Sequence, residues 1–392
     1  MRLAIVSHVV HYRWGGRLYA YTPYAREMEV WADLFNQVVI AGPCRDELPP
    51  PDCAALQRRN ITIDPQPEAG GESVRGKIGL LRATPVMIWR LMQTFHKVDA
   101  IHTRCPGNLG LLGTLLGPLF SRRLICKYAG QWTSYPGEAL SVRFQKRVLS
   151  SRWWRGPVTV YGDWPGQPAH VIPFFTSVLS RAQVARARAA SERKRFRSPL
   201  HVLYVGRLSA SKNVDKLLEA LRVVRDHGYR MHATIVGDGP ERYKLEILRS
   251  RLHLTEDVEF AGAVDFDRVM SLLETSDVLV LASNTEGWPK AIAEAMAFGL
   301  ICIGSDRGLI PQMLGNGRGL LVPPRDVSAL AAKLEMIAAA PENYTEMSRR
   351  AASWAQRFSL DGLRDALCSL MSSSWGVTFA ETREPEVHVV RI

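Results

Sequence analysis

Two carboxylates and two cations carry the chemistry legible in this chain. Glu286 and Glu294 stand eight positions apart in SNTEGWPKAIAE, residues 283–294, and Arg207 and Lys212 lie together in GRLSASKN, residues 206–213. Val278–Leu281 reads as a buried strand, Ser283–Gly287 as a loop, and Pro289 as the first helical residue, where its missing N–H costs nothing. That layout aims backbone N–H groups at a crevice above the strand's carboxyl end, the place where α/β sheets hold anionic ligands. A carboxylate in the loop and another one turn into the helix can accept hydrogen bonds from hydroxyls, so the chemistry indicated is that of a phosphorylated sugar or nucleotide. Two cations fixed just past a strand end would stabilise the charge of a bound phosphate better than mobile solvent. Plainer readings stay open. Paired carboxylates also serve acid/base work in glycoside hydrolases or answer a helix macrodipole, and Arg207 and Lys212 would pass as solvated surface cations.

The elements that must position these groups follow from hydrophobic runs. A chain of 392 residues exceeds what one core supports, so two domains are expected. Strands are predicted at Leu3–Val6, Val38–Ala41, Ala100–His102, Leu124–Lys127 and Val158–Tyr161, and helices near Tyr24–Phe35, Lys77–His96, Gly107–Leu119 and Ala139–Ser150. Such alternation argues a parallel sheet covered on both faces. Asp46–Gly71, rich in proline and polar residues, reads as an exposed excursion. The second unit repeats the rhythm with strands Val202–Val205 and Ala233–Val236 and helices Asn213–His227 and Glu241–Leu252; Val214, Leu217, Leu218 and Leu221 form the stripe of a helix lying on a sheet. The expected division is a first domain over 1–175, a basic linker over 176–199, a second domain over 200–358, and a final helix over 359–392 that crosses back to the first domain and ends in a tail.

The Glu-x7-Glu pattern followed by Ala295-Met296-Ala297, with Val205–Asn213, Ile235–Arg242 and Phe260–Gly262 before it in that order, resembles the signature of family 4 retaining glycosyltransferases of the GT-B fold. The match runs from near Leu200 to Asp326; the first half matches loosely. The resemblance implies an α/β architecture of two doubly wound Rossmann-like domains facing a central cleft. It also implies a hexosyl transfer from a UDP- or GDP-sugar to a glycan or lipid-linked glycan in polysaccharide or glycoconjugate biosynthesis, with no metal or other cofactor required. By the same resemblance, Arg207 and Lys212 hold the donor pyrophosphate, Glu286 faces the donor sugar, and Glu294 binds the ribose hydroxyls. Gly287, Trp288 and Pro289 present backbone to phosphate, with Lys290 adding charge. Gly206, Gly237, Asp238 and Gly262 line the donor side, although a tight turn at Gly237-Asp238-Gly239 would also serve a purely structural role. Gly16, beside Gly15, falls where the family uses a glycine-rich loop to let phosphates approach backbone N–H groups; an ordinary turn is the alternative.

One departure stands out. Where many family members carry a histidine after the fourth strand, this chain has Ala129 or Gly130. Retaining chemistry in the family is described as front-face substitution with the departing phosphate as base, which does not need the imidazole. Arg104, Gln131 and Trp132 are the acceptor-side or sugar-positioning candidates in its place, and His102 reads as structural. Two other functions remain in view: a GT-B nucleotide-sugar epimerase or hydrolase, and a catalytically silent sugar-nucleotide-binding protein.

Other features narrow the field. GxGxxG fails because position 242 is arginine, which removes the best support for hydride transfer. Asp265-Phe266-Asp267 looks like a metal-binding pair but fits better as an N-cap and first-turn acid. A net charge of +12 favours anionic partners; no nucleic-acid motif accompanies it. Two basic stretches with aromatics or repeated arginines, Ser141–Arg155 and Arg181–Arg197, are candidates for docking on an anionic membrane. No apolar run reaches the ~18 residues of a spanning helix. Six cysteines without paired or metal-ligand spacing, and a start directly in a strand, predict a cytoplasmic protein; the basic stretches add a peripheral position on the inner face of the membrane, with a solvated helix face plus a charged linker as the alternative.

Overall fold

The computed structural model describes residues 1–70, 74–135, 137–177, 179–196 and 198–379. It divides into two compact units, Met1–Val178 with Leu360–Ile392, and Leu179–Ser359. The expected tail over 380–392 lies outside the described residues, as does Arg197.

The first unit is built on a seven-stranded parallel sheet. Its spatial order is Val171–Phe174, Val158–Tyr161, Arg123–Tyr128, Ala100–Cys105, Arg2–Val6, Gln37–Gly42 and Ile61–Pro65. Leu3 to Val6 are sealed from solvent on both faces, as a central parallel strand covered by helices must be. Leu3 pairs with Val38 on one side and Ala100 on the other, so the winding reverses at this strand. The helix Leu360–Trp375 belongs to this unit: Leu363, Leu367 and Met371, four apart, join Met28 and Trp31 of the helix Thr22–Leu34, and Phe35 just after it, in one core.

One sequence expectation changes here. Asp46–Gly71 is not a bare excursion; it holds Cys53–Ala55, in a small four-stranded sheet, and Ile61–Pro65, the edge strand of the main sheet, while Gly71 lies outside the described residues. Both strands are short and half-buried, so their alternation is lost among prolines and arginines. Gly15 and Gly16, both at positive φ, form the two-residue tip of a hairpin between His11–Trp14 and Arg17–Tyr21, the conformation that such turns demand of their central residues.

The second unit is a six-stranded parallel sheet in the order Val258–Gly262, Met231–Val236, Leu200–Val205, Val278–Leu281, Ile301–Ser305, Leu320–Val322. The helix Val214–Asp226 buries Val214, Leu217, Leu218 and Leu221 against it. The stretch 176–199, expected as a basic linker, is mostly a helix of this unit, Arg181–Arg193, opened by a Ser180–Gln183 capping box. Val184, Ala187 and Ala190 are its buried face, too small a stripe to stand out among arginines. Two of the stretch's cations are used internally. Arg186 grips Glu274 with two hydrogen bonds of 2.6 and 2.9 Å. Lys194 Nζ donates to the carbonyls of Leu273, Glu274 and Ser276, closing the C-terminus of the helix Phe266–Thr275. That helix starts on Asp265, whose carboxylate accepts from the Arg268 N–H at 2.8 Å. The Asp265–Asp267 pair is a cap.

Candidate active site

The strand Val278–Leu281 delivers the loop 282–289, and the helix Lys290–Ala297 follows it. Pro289 is the N-cap, not the first helical residue as expected; Lys290 takes that place, and the Ile292 N–H bonds the Pro289 carbonyl at 3.0 Å. Glu294 is buried on this helix, and Glu286 sits in the loop. Lys212 comes from the adjacent strand, Leu200–Val205, by way of the 3-10 turn Ala210–Lys212. Its Nζ donates to Glu286 Oε1 at 2.5 Å, so the structure joins two groups separated by 74 residues.

A residue without charge sets that meeting. Asn213 is buried in the left-handed region at φ 52°, which asparagine tolerates better than most residues. Its Nδ2 donates to the Ala282 carbonyl at 2.7 Å and to Asn284 Oδ1 at 2.8 Å, while the Asn284 N–H donates to the Ser211 carbonyl at 2.8 Å. Ser305 Oγ adds a bond to the Ser283 carbonyl at 2.6 Å. Three loops at the carboxyl ends of neighbouring strands are thus locked together, and Lys212 and Glu286 are oriented by their backbones. Asn213 closed the GRLSASKN motif in the sequence, yet nothing there marked it as the tie. Tyr204 was also missed: its hydroxyl donates to the Arg207 carbonyl at 3.1 Å, and burial, then the Glu286 charge, push its own ionisation well above the tyrosine range. Arg207 is exposed and has no ion-pair partner among the described residues.

The glycines act through backbone proximity. A Cβ on Gly237, at φ 130°, would lie 1.9 Å from the Gly206 carbonyl oxygen. The Gly237 N–H bonds the Gly262 carbonyl at 2.8 Å, and the Gly206 N–H bonds Val236 at 3.0 Å. Gly206, Gly237 and Gly262 therefore draw three strand ends together. Asp238 spends its carboxylate inside the turn, on the Gly239 N–H at 2.6 Å and on Arg242 at 3.2 Å. Gly308, not singled out from sequence, backs the Glu286 loop: a Cβ there would fall 2.0 Å from the Glu286 carbonyl oxygen. Trp288 is 7% exposed. Its ring stacks on Trp354 at 6.4 Å and meets Phe358 edge-on at 5.4 Å, so the side chain anchors the loop. Pro289 is buried beside it, while Gly287 and Lys290 are half-buried.

In the first unit, the acceptor-side candidates separate. Arg104 is corrected: its guanidinium is buried against Glu27 at 2.6 Å and lies 4.9 Å from the Tyr24 ring centre. Lys127 Nζ meets the other Glu27 oxygen at 2.7 Å. Burial alone would raise the Glu27 carboxyl, but Arg104 and Lys127 hold it well below the usual carboxylate range. Arg104 is therefore a structural cation. Gln131 is half-buried with Nε2 donating to Thr133 Oγ1 at 3.2 Å, and Trp132 is half-buried, edge-on to Tyr128 at 5.1 Å. Gly16 sits at the exposed hairpin tip with open space around it. His102 stacks on Trp31 at 4.5 Å, and burial, then the charge of Arg104, push it down to about 3; it is a neutral core residue.

The basic stretches are also redistributed. Within Ser141–Arg155, Trp154 is a core residue and Lys146 is buried against Glu138, while Phe144, Trp153, Arg143, Arg147, Arg152 and Arg155 are exposed. No helix among the described residues is long and apolar enough to cross a membrane.

Residues 188–354 match the family model described as glycosyl transferases group 1. The putative colanic acid biosynthesis glycosyltransferase WcaL of Salmonella typhimurium is 30% identical over 184 residues, 45% of this chain and 45% of that protein; the chain spans about half the length of such relatives. Among solved structures, sucrose-phosphate synthase from Thermosynechococcus elongatus superposes with a TM-score of 0.72 at 20% identity, covering 96% of this chain and 99% of that one. Anabaena HepE, solved in complex with UDP and glucose, gives 0.69 at 16% identity over 95% of this chain and 100% of that one. The architecture is the GT-B fold.

Proposed function

We propose, from the membership of residues 188–354 in the group 1 glycosyltransferases, that this chain moves a hexosyl group from a nucleotide-diphospho-sugar to a glycan or lipid-linked glycan, with retention of configuration. The observation that carries the reading is the Lys212–Glu286 pair at 2.5 Å, held by loops at the carboxyl ends of two adjacent strands, with Glu294 one turn into the next helix. Lys212 and Arg207 neutralise charge arriving on the departing diphosphate. Glu286 holds Lys212 in position and accepts from hydroxyls of the donor sugar; Glu294 accepts from the ribose. A diphosphate so stabilised is the better leaving group and lies beside the breaking bond, placed to take the acceptor's proton. The UDP bound by HepE and the polysaccharide setting of WcaL support a UDP-sugar and a growing glycan.

Thermal stabilisation by UDP, GDP, ADP and CMP tests the donor site, because a ligand that binds only the folded state raises the melting temperature. One nucleotide is expected to stand out, and Glu294→Ala to abolish its effect. No preference, or a preference untouched by Glu294→Ala, would remove the assignment.

A peripheral position on an anionic membrane belongs to the same reading, and the helix Val74–Phe95 supports it. Its core face carries Met87, Leu91 and Phe95 at helical spacing. On the opposite side Ile78, Leu81, Trp89 and Met92 are exposed, Leu81 at 76% and Trp89 at 58%. The helix contains no carboxylate, and Lys77 and Arg82 are exposed beside the apolar stripe. Such a face suits anionic lipid, at ~1 kcal/mol per nearby cation plus apolar burial. Leu81→Asp with Trp89→Asp is expected to weaken co-sedimentation with phosphatidylglycerol vesicles at least about tenfold. Unchanged sedimentation would exclude this face, and a dimer dissociated by the same pair would assign it to a second copy of the chain.

A further inference from the structure

The Leu179–Ser359 unit holds a second concentration of positive charge that the donor site does not use. A cleft of about 500 Å³ lies between the face of the helix Thr345–Ala355, with the turn after it, and the turn at Asn316–Arg318. Arg318, Arg349, Arg350 and Arg357 line it against one carboxylate, Glu346. The spacing explains the convergence, since positions 346, 349, 350, 353 and 357 recur every three or four residues along one face.

The charge there is poorly balanced. Glu346 is already engaged by Arg350 Nε at 3.0 Å. Among the described residues Arg318 donates to carbonyls alone, those of Met313 at 2.7 Å and Gln312 at 2.6 Å, and Arg357 donates to the Trp354 carbonyl at 3.2 Å. Arg349 has no ion-pair partner among the described residues. Burial, then the like charge of Arg357, pulls the Arg318 guanidinium below its ordinary range; burial does the same to Arg357. Like charges held together with so little compensation favour an anion that lies among them, and guanidinium forks match the oxygens of a phosphate in pairs. One wall is Trp354, whose ring carries Arg318 at 4.8 Å and stacks on Trp288 of the donor loop.

We propose that this cleft binds a phosphate-bearing anion carrying at least two negative charges, at a site separate from the donor pyrophosphate site. The ligand would be a soluble phosphate compound or a phospholipid headgroup.

The test uses the full chain carrying Arg207→Ala and Lys212→Ala, which disables phosphate binding at the donor site whether or not that site has the role given above. Inorganic pyrophosphate, at ionic strength matched with sodium chloride, is expected to raise the melting temperature of this protein saturably. Arg349→Glu should weaken that binding by roughly tenfold or more, and Arg350→Ala by a comparable factor, while Arg349→Lys, which keeps the charge but not the fork, loses less than Arg349→Glu. Residues 349 and 350 are both exposed, so neither change removes a core contact. If Arg349→Glu also lowers binding to vesicles containing phosphatidic acid, whose phosphomonoester takes up to two negative charges, the headgroup is the source; if vesicle binding is unchanged, the source is soluble. Stabilisation no greater than that of sodium chloride, or equal in the arginine variants, overturns the proposal.

Discussion

Lys212→Ala is expected to lower kcat by about 10²–10³-fold, the usual cost of deleting one preorganised group that meets developing charge. The same change should move folding stability by less than ~1 kcal/mol, because the Lys212–Glu286 pair is partly open to solvent and such pairs contribute little to stability. That split distinguishes a catalytic cation from a structural one. If Lys212→Ala instead left turnover intact and shifted only the urea midpoint, the pair would be a brace between two loops, and the donor site would have to be sought elsewhere. Lys212→Arg is expected to recover part of the rate, since it keeps the charge but not the compact geometry of the ammonium.

The second large effect concerns stability. Glu27 is 3% exposed and bonded to both Arg104 and Lys127. Glu27→Ala would strand two buried cations, and breaking a buried pair by removing one partner costs about 3–5 kcal/mol. Chemical denaturation should show that loss, with activity falling only as the folded fraction falls. The pH dependence has a definite sign. The carboxyl is held below its unfolded value of about 4.3, so its contribution is complete above that pH and disappears as the pH falls further. The wild-type chain should therefore lose stability below about pH 4 more steeply than the Glu27→Gln variant. Parallel acid profiles for the two would show that the triad contributes nothing through charge.

These two carboxylates differ in how far sequence could reach them. The position of Glu286 in a loop was legible because a buried apolar strand, a short loop and a proline-led helix are local signals. Glu27 was not. It falls between Tyr24 and Trp31 on the buried arc of its helix, a position where an acid signals a buried partner, but Arg104 and Lys127 lie 77 and 100 residues away. The same separation made Arg104 look like a site residue: a cation at a strand end reads identically whether it faces ligand or core. Trp154 repeats the error, an interfacial tryptophan by composition and a core residue by packing. The helix Arg181–Arg193 was hidden because its buried face is mostly alanine, and the strand Ile61–Pro65 because half-buried edge strands alternate weakly.

The sequence by itself determined the alternation of strands and helices, the division into two parallel α/β units, the carboxyl-end loops on which Arg207, Lys212 and Glu286 had to lie, and the helix that carries Glu294. Each of those follows from periodicity and turn chemistry within a few residues. Only the tertiary structure decided that Lys212 meets Glu286, that Asn213 and Gly308 hold the loop carrying it, that Arg104 belongs to Glu27, and that four arginines converge on a cleft beside Trp354. The physical reason is that charge and hydrogen bonding are satisfied across space: a side chain's partner is set by which elements the hydrophobic core packs together, and no local pattern records it.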